Sequence, residues 1–391
     1  MTADAALYDL DSLYLEIKPR QSAQAWQRAQ GLSTPHARWC AYFNQLGLTT
    51  LMAWLQAEGL QIKPALATPL QPTVWELMTG SAIECQGARL IVLPSEALDG
   101  DELRVPQSWV DIPSWVGDYY LALQVNPDAG WVRFAGFATH QVLKSCGDYD
   151  WRDRTYSLAA TDLTLDLNVL QIAQDLYPEA IKRTAVNALP ELSVPQARQL
   201  ISRLAAPTLL EPRLAVSFEQ WGALMAHGGW RRQLAEQRWG KVTLPLRQWL
   251  TSGTDRLANR LANQLANQLG WQQMSYQPAA ATARGLEDSE TASVLCRDLN
   301  IGGEVYTLQV RPLTISDNAW RVELTKAVGL IPVGVTLRLL TEDLQPFENN
   351  QAVATEAIDS LYVDVAVADQ EGLVWQVQPL PSQYDQEILR F

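Results

Sequence analysis

The segment SLYVDVAV at residues 360–367 decides the fold of the C-terminal part of this chain. Leu361, Val363 and Val365 alternate with Tyr362 and Asp364, and this period of two is typical of a strand with one buried face. Similar runs occur at residues 305–310, 320–324, 333–340 and 373–377. Because no helical pattern separates these runs, they predict an antiparallel β-sandwich domain over residues 292–391.

A segment rich in small and polar residues, SYQPAAATARGLEDSET at positions 275–291, precedes these strands and predicts a linker. Before it, RLANRLANQLANQLGW at positions 256–271 repeats the triplet Leu-Ala-Asn with a period of four. Leu257, Leu261 and Leu265 would lie on one stripe of a helix, and Gly270 would follow its end. We expect this helix to pack on its own domain, and a partner helix is the alternative.

Residues 1–145 predict a mixed region in which helices precede a small antiparallel sheet at positions 71–140. Thr34, followed by a proline, predicts a helix start, and residues 47–50 predict a break in that helix. The turn signals between positions 125 and 131 predict a hairpin. Within the sheet, we expect Leu121 and Leu123 to face the core while Ala122 and Gln124 form a polar, exposed face.

Residues 146–274 are predicted to be helical, and the sequence leaves open whether they form one domain with residues 1–145. Dense aliphatic residues at positions 161–176 predict a buried helix. The pair Gly228 and Gly229 predicts that a helix ends at Ala226 with a glycine in left-handed geometry. Together with the C-terminal strands, these patterns place the chain in the α+β class.

Charge and hydropathy limit the classes of function. The chain has 391 residues and a formal net charge of −13, with 43 acidic side chains against 30 Lys and Arg. Duplex binding needs cations that displace counterions, so we expect no nucleic-acid partner. No apolar run approaches about 18 residues, and the N-terminus lacks the apolar core of a secretion signal. We therefore expect a cytoplasmic protein that does not insert into membranes.

No motif for catalysis or cofactor binding is present in the sequence. It contains no GxxxxGK[ST], no GxGxxG and no GxSxG pattern. The four cysteines and three histidines are too widely separated for zinc-ligand spacing. We therefore expect no cofactor, no metal and no enzymatic activity.

The segment CGDYDWRDRTYSL at positions 146–158 carries Asp148, Asp150 and Asp153. It lacks the glycine and the glutamate that a calcium loop requires, and neighbouring arginines neutralise its carboxylates. We interpret it as an Arg–Asp network, with a cation site as the alternative. His140 with Asp148 or Asp150 resembles a base and its orienting partner, but no nucleophile is identifiable.

The sequence contains 15 tryptophans, and arginines greatly outnumber lysines among its cationic residues. Packing of these side chains within the fold is the simpler interpretation, but Trp and Arg also dominate the hot spots of protein interfaces. The candidate interaction surface comprises Trp109, Trp115, Trp131, Trp151, Arg152 and Arg154.

Several stretches resemble one family throughout nearly the whole chain. They include VPQSWVDIPSWVGDYYLALQVNP at 105–127, WVRFAGFATHQVLKSCGDYDWRDRTYSL at 131–158 and DLTLDLNVLQIAQDL at 162–176. LPLRQWL at 244–250, VTLRLLTEDL at 335–344 and SLYVDVAV at 360–367 continue the series in the same order. The chain thus resembles the cyanobacterial domain-of-unknown-function family 1822. The resemblance implies a cytosolic protein with a multi-part fold and no defined reaction. The association of relatives with sigma-type regulators and sensory proteins favours a regulatory partner.

These observations favour a non-enzymatic protein-binding or adaptor protein. One alternative is a small-ligand or carbohydrate sensor that uses tryptophans in residues 105–151. The other is an unrecognised hydrolase with residues 140–153 at its cleft.

Overall fold

The structure is a computed structural model that describes residues 12–66, 70–96, 102–169, 172, 181–240, 246–247, 270–276, 292–313 and 318–391. The chain divides into two compact units, Met1–Lys241 and Val242–Phe391. Helices and several antiparallel sheets are both present, which confirms the mixed α and β class. None of the helices in the described ranges is long and apolar enough to cross a membrane.

The N-terminal unit combines helices with two sheets. Its strands are β1 Tyr14–Glu16, β2 Ile62–Pro64, β3 Ser81–Cys85, β4 Ala88–Ser95, β5 Glu102–Pro106, β6 Tyr119–Asn126, β7 Trp131–Thr139, β8 Asp148–Asp150 and β9 Thr155–Ala159. Its helices are α1 Pro19–Ala29, α2 Pro35–Ala57, α3 Gln71–Trp75, α4 Gln107–Asp111, α5 His140–Cys146, α6 Val194–Leu204, α7 Phe218–Ala226 and α8 Gly228–Arg238. The sheet orders are β1-β7-β6-β4-β3-β2 and β5-β9-β8.

The six-stranded sheet differs from the small antiparallel sheet that the sequence predicts. Strands β4 and β6 are parallel, and β1 and β2 come from outside residues 71–140. Ala122 and Gln124, expected in solvent, are buried. Two parallel strands need a connection that crosses one face of the sheet, and α4 lies in the connection between β4 and β6. Tyr120, which shares a face of β6 with Ala122 and Gln124, donates to the backbone oxygen of Trp109 in α4 at 2.8 Å. The connection therefore covers the face that the alternating pattern predicted to be exposed.

Helix α2 begins where the sequence predicts but does not break. The side chain of Thr34 accepts a hydrogen bond from the Ala37 N–H at 3.0 Å, which caps the helix. The helix then runs without interruption through residues 47–50. A β-carbon at Gly47 would lie 3.1 Å from that of Pro94, so the glycine allows close packing on β4 instead of ending the helix.

Other local predictions in the N-terminal unit need correction. The hairpin between β6 and β7 is confirmed. The helix predicted at positions 161–176 is confirmed only in part: residues 167–169 and 172 are helical, whereas Thr164 forms a backbone bridge to Phe137 in β7. The predicted burial is wrong, because Leu165, Val169 and Ile172 are exposed. Strands β8 and β9 also lie inside the region that was predicted to be helical, because β9 pairs with β5.

The predicted helix end at Ala226 is confirmed, but the glycines after it have another role. They form the first turn of α8, and the imidazole of His227 accepts the N–H of Trp230 at 3.2 Å. The predicted left-handed glycine is therefore wrong, because a side-chain cap starts a new helix at this point.

The C-terminal unit consists of two antiparallel sheets that share one apolar core. Its strands are β10 Trp271–Tyr276, β11 Ala292–Ile301, β12 Glu304–Pro312, β13 Ala319–Lys326, β14 Thr336–Thr341, β15 Gln351–Val353, β16 Ser360–Ala366, β17 Gly372–Gln378 and β18 Ile388–Arg390. The sheet orders are β10-β11-β12-β13-β16 and β15-β14-β17-β18. In β16, Leu361 and Val363 are buried while Tyr362 and Asp364 are exposed, so the predicted alternation is confirmed.

Strand β10 joins this unit from before the predicted linker. Trp271 pairs with Arg297 of β11, and Gly270 has a φ of +76° in the turn that precedes it. The region predicted to be helical therefore ends in a strand. Residues 256–269 of the Leu-Ala-Asn repeat and residues 277–291 of the linker lie outside the described residues.

Candidate functional site

A cleft of about 320 Å³ opens in the N-terminal unit, and we call it the aromatic cleft. Its size lies at the lower end of the range for small-molecule sites, about 300–1,000 Å³. Helix α2, the end of α3, β4, β5 and the segment after α6 contribute to it. Its lining consists of His36, Ala37, Trp39, Cys40, Phe43, Trp75, Glu76, Leu77, Met78, Thr79, Pro94, Glu96, Arg104, Pro106, Thr155, Leu210, Glu211 and Arg213.

One face of α2 supplies the aromatic wall of the cleft. His36, Trp39, Cys40 and Phe43 follow the spacing of successive turns on one helix face. Trp39 packs against Phe43 with ring centroids 5.1 Å apart, while its indole remains 42% exposed. Trp26 of α1 lies edge-on to Trp39 at 6.3 Å and is 46% exposed. Two indoles therefore meet solvent side by side.

The floor of the cleft is held by a buried ion pair. Glu76 accepts hydrogen bonds from Arg238 Nε at 2.8 Å and Trp239 Nε1 at 2.7 Å. The Ser33 N–H donates to the same carboxylate at 3.0 Å, and the Ser33 hydroxyl donates as well. Both charged side chains of the pair are inaccessible to solvent. The Glu76 carboxylate therefore stabilises the fold and is not accessible to a ligand.

Four charged residues of the rim pair with other charged side chains of the chain: His36, Arg104, Glu211 and Arg213. Glu211 lies 3.3 Å from His36 Nε2 and 2.8 Å from Arg213 Nε. Arg104 reaches Asp153 at 2.5 Å. The hydrogen bond that the His36 imidazole donates to Glu211 raises the pKa of His36. Burial raises the pKa of Glu211, but the His36 hydrogen bond and the Arg213 charge offset it and leave that pKa below its usual value.

The one thiol of the cleft, Cys40, is poorly suited to act as a nucleophile. Burial raises its pKa to about 12, so the group stays protonated near neutral pH. Asn44 Nδ2 donates to its sulfur at 3.3 Å. Since the thiolate is the nucleophilic form, the cysteine lines the wall as a small apolar group.

Glu96 differs from the other acidic residues of the cleft. Trp39 Nε1 donates to its Oε2 at 3.0 Å, and the residue is exposed. Within the described part of the chain, no Lys, Arg or His side chain forms an ion pair with it. Glu96 is thus a carboxylate of the cleft that an indole orients and that has no cationic partner among the described residues.

We expect the imidazoles of His36 and His140 to titrate on opposite sides of the ordinary value of 6.5. Pairing with Glu211 raises the first pKa, and burial lowers the second. Because the folded-state pKa of His36 is raised, its pairing contributes fully below pH 6.5 and is lost as pH rises through the raised pKa. NMR titration of the ring protons measures both, and His36→Gln assigns the upper transition. A His36 midpoint at or below 6.5 would contradict the pairing.

A family model described as a protein of unknown function (DUF1822) matches residues 15–390. The chain belongs to this family. No curated protein and no solved structure matches the chain. The match confirms the family resemblance that the sequence motifs indicate.

In this DUF1822 protein, the tryptophans and arginines of the sequence-derived interaction surface do not share one exposed surface. Trp109 and Trp115 pack against each other in the interior with ring centroids 4.9 Å apart, and they are 3% and 8% exposed. Trp131 is half-buried against Tyr14. The two core tryptophans are therefore packing residues, because the crossing around α4 buries them.

The remaining three residues lie around the β8–β9 turn. Trp151 is 72% exposed, and the Arg152 guanidinium lies 5.7 Å from its ring centroid. Arg154 instead donates to the backbone oxygens of Arg213 and Val216 at 2.6 Å each. It therefore ties the turn to a distant segment, and only the first two remain open to a partner.

The acidic segment and His140 also have structural contacts. Asp153 pairs with Arg104, while Asp150 accepts the N–H of Arg152. Among the described residues, no group of three or more His, Cys, Asp or Glu side chains is arranged to hold a metal ion. His140 is fully buried, with Val110 O at 3.0 Å from Nε2 and the Thr184 N–H donating to Nδ1. Both ring nitrogens are therefore engaged by backbone.

Sequence patterns do not reveal the aromatic cleft. The one signal for it in the sequence is the spacing of Trp39 and Phe43 on α2, which is equally typical of a helix face that packs into a core. The acidic residues Glu96 and Glu211 belong to segments far apart in sequence. Only the folded chain brings them to the same helix face.

Proposed function

We propose that this chain is a non-enzymatic adaptor that binds a segment of a partner protein in the aromatic cleft. The observation that supports this proposal is the pairing of the ionisable groups in the cleft. Glu76, Glu211 and Arg213 are engaged with other groups of the chain, and Cys40 is held as a thiol. What the cleft offers to a ligand is aromatic surface with a polar rim, which is the composition of a protein-recognition site.

We propose further that the protein is cytoplasmic and cyanobacterial, that its role is regulatory, and that its C-terminal unit is a β-sandwich. A C-terminal unit of two antiparallel sheets over one core supports the last point. The resemblance to family members that accompany sensory proteins supports a regulatory role.

A small-ligand sensor is the second candidate function. The volume of the cleft, about 320 Å³, favours it because this size also suits a metabolite. Screening by thermal unfolding separates the two functions. A saturating small ligand at one hundred times its Kd is expected to stabilise the protein by about 2.7 kcal/mol.

The adaptor proposal is tested by selecting random twelve-residue peptides on phage against the immobilised full-length protein. We expect the selected peptides to bind, and we expect Trp39→Ala to weaken their binding about tenfold or more. The reason is that tryptophans that a partner buries carry much of the binding energy at interfaces. Trp151→Ala, which removes an exposed tryptophan outside the cleft, is the matched control and should leave Kd unchanged. The proposal fails if no peptide is selected, or if the selected peptides bind both variants equally well.

A further inference from the structure

The chain uses one combination of side chains repeatedly: a glutamate that accepts an indole N–H and also pairs with an arginine. Glu76 accepts Trp239 Nε1 and pairs with Arg238. In the C-terminal unit, Glu387 accepts the indole N–H groups of two tryptophans and pairs with Arg297. In both places the indole donor and the cation share a single carboxylate.

Within the described part of the chain, Glu96 at the aromatic cleft has the indole donor of this combination but not the arginine. It accepts Trp39 Nε1 at 3.0 Å, but no arginine or lysine of the described residues pairs with it. Unlike Glu76 and Glu387, which are buried, it is exposed. A cation supplied from outside therefore has access to a carboxylate that is already oriented.

We propose that the aromatic cleft recognises an arginine of a basic partner segment, whose guanidinium pairs with Glu96 and stacks on the exposed indole of Trp39. This inference rests on the proposed adaptor function and specifies the partner. Trp26, at right angles to Trp39, presents a second exposed ring beside the same position.

Arginine suits this position better than lysine. Its planar guanidinium stacks on an aromatic face and pairs with a carboxylate through parallel hydrogen bonds. The chain shows this geometry on its own surface. Arg321 lies 3.9 Å from the ring centroid of Tyr362 and donates to both oxygens of Asp364 at 2.6 and 2.7 Å. A strand pair thus already holds an arginine between an aromatic ring and a carboxylate.

The overall charge of the protein favours the same partner. The net charge of −13 attracts a basic segment over the range of a Debye length, about 8–10 Å. The arginines that line the cleft do not repel a basic segment, because Arg104 and Arg213 are each paired with acidic residues of the chain. A basic, extended segment with apolar neighbours therefore matches both the rim and the aromatic wall.

The test uses the same phage selection on the full-length protein, followed by synthesis of the selected peptides. We expect enrichment of arginine over the unselected library. Replacing the enriched arginine with citrulline, its neutral isostere, should weaken Kd about tenfold on the unmodified protein. On Glu96→Gln, the same exchange should change Kd less than about twofold, because the charge pair is already lost. Glu58→Gln, which changes an exposed acidic residue outside the cleft lining, is the matched control and should behave as the unmodified protein.

Each result decides between the two proposals. Peptides that bind in a Trp39-dependent manner without arginine enrichment would support the adaptor function and overturn the arginine site. Enrichment of lysine in place of arginine, or a citrulline effect that persists on Glu96→Gln, would also overturn it. If no peptide is selected, both proposals fail.

Discussion

Replacing Glu76 with alanine is expected to lower the free energy of unfolding of the N-terminal unit by about 3–5 kcal/mol. The substitution leaves the guanidinium of Arg238 buried without its counter-charge, and it also removes the acceptor of the Trp239 indole and of Ser33. Three backbone oxygens that accept from Arg238 hold the cation in place, so it cannot turn to solvent. The variant therefore loses nearly the full free energy that an unpaired, buried arginine costs.

This loss is measured by urea unfolding of the full chain, in which hydrogen exchange of peptides from α2 and α8 reports on the N-terminal unit. Glu102→Gln is the matched control: its ion pair with Arg104 is exposed and should contribute at most about 1 kcal/mol. The double variant Glu76→Leu with Arg238→Met should be less destabilised than the sum of its single changes, with a coupling of about 0.5–3 kcal/mol. A loss below about 1 kcal/mol for Glu76→Ala would contradict the role of the pair.

In the C-terminal unit, Glu387→Ala is expected to cost about 3 kcal/mol. The carboxylate accepts Trp271 Nε1 at 3.1 Å and Trp375 Nε1 at 3.4 Å, and it pairs with Arg297. Removing it leaves two buried indole donors without this acceptor. Arg297 keeps 18% of its side chain exposed, so part of its charge is hydrated again, and we expect a smaller loss than for Glu76.

Glu387→Gln separates the two contributions, because an amide oxygen still accepts from an indole N–H but carries no charge. It should cost less than the alanine variant. Hydrogen exchange of β10, β11 and β17 reports on the affected strands. Glu304→Gln, which removes the exposed partner of Lys326, serves as the control and should change stability by less than about 1 kcal/mol. Equal losses for Glu387→Ala and Glu304→Gln would contradict this account.

Sequence patterns predicted the local features that depend on near neighbours. The alternation in β16, the cap at Thr34, the hairpin between β6 and β7 and the helix end at Ala226 are each fixed by residues within a few positions of each other. The same method misplaced the start of the helix at residues 161–176 and wrongly predicted that the helix is buried. There Thr164 joins Phe137 through a backbone bridge that no local pattern reveals.

The aromatic cleft was missed for the same physical reason. Its wall lies on one helix, but the contacts that give it chemical character join Trp39 to Glu96 and His36 to Glu211 across long stretches of chain. Conversely, Trp109 and Trp115 were candidates for an interaction surface beside the simpler interpretation that they pack within the fold, and they are buried. Composition alone does not distinguish a buried indole from an exposed one.

By itself, the sequence determined the family, the mixed class and the positions of many helices and strands, because motifs, side-chain periodicity and caps are local properties. Tertiary structure alone decided which carboxylates were paired. Glu76 is buried and pairs with an arginine of the same chain, whereas Glu96 lies at the surface and, among the described residues, accepts a hydrogen bond from an indole and pairs with no cation. Charge pairing depends on distances of a few ångströms and on burial, and both arise only when distant segments pack together.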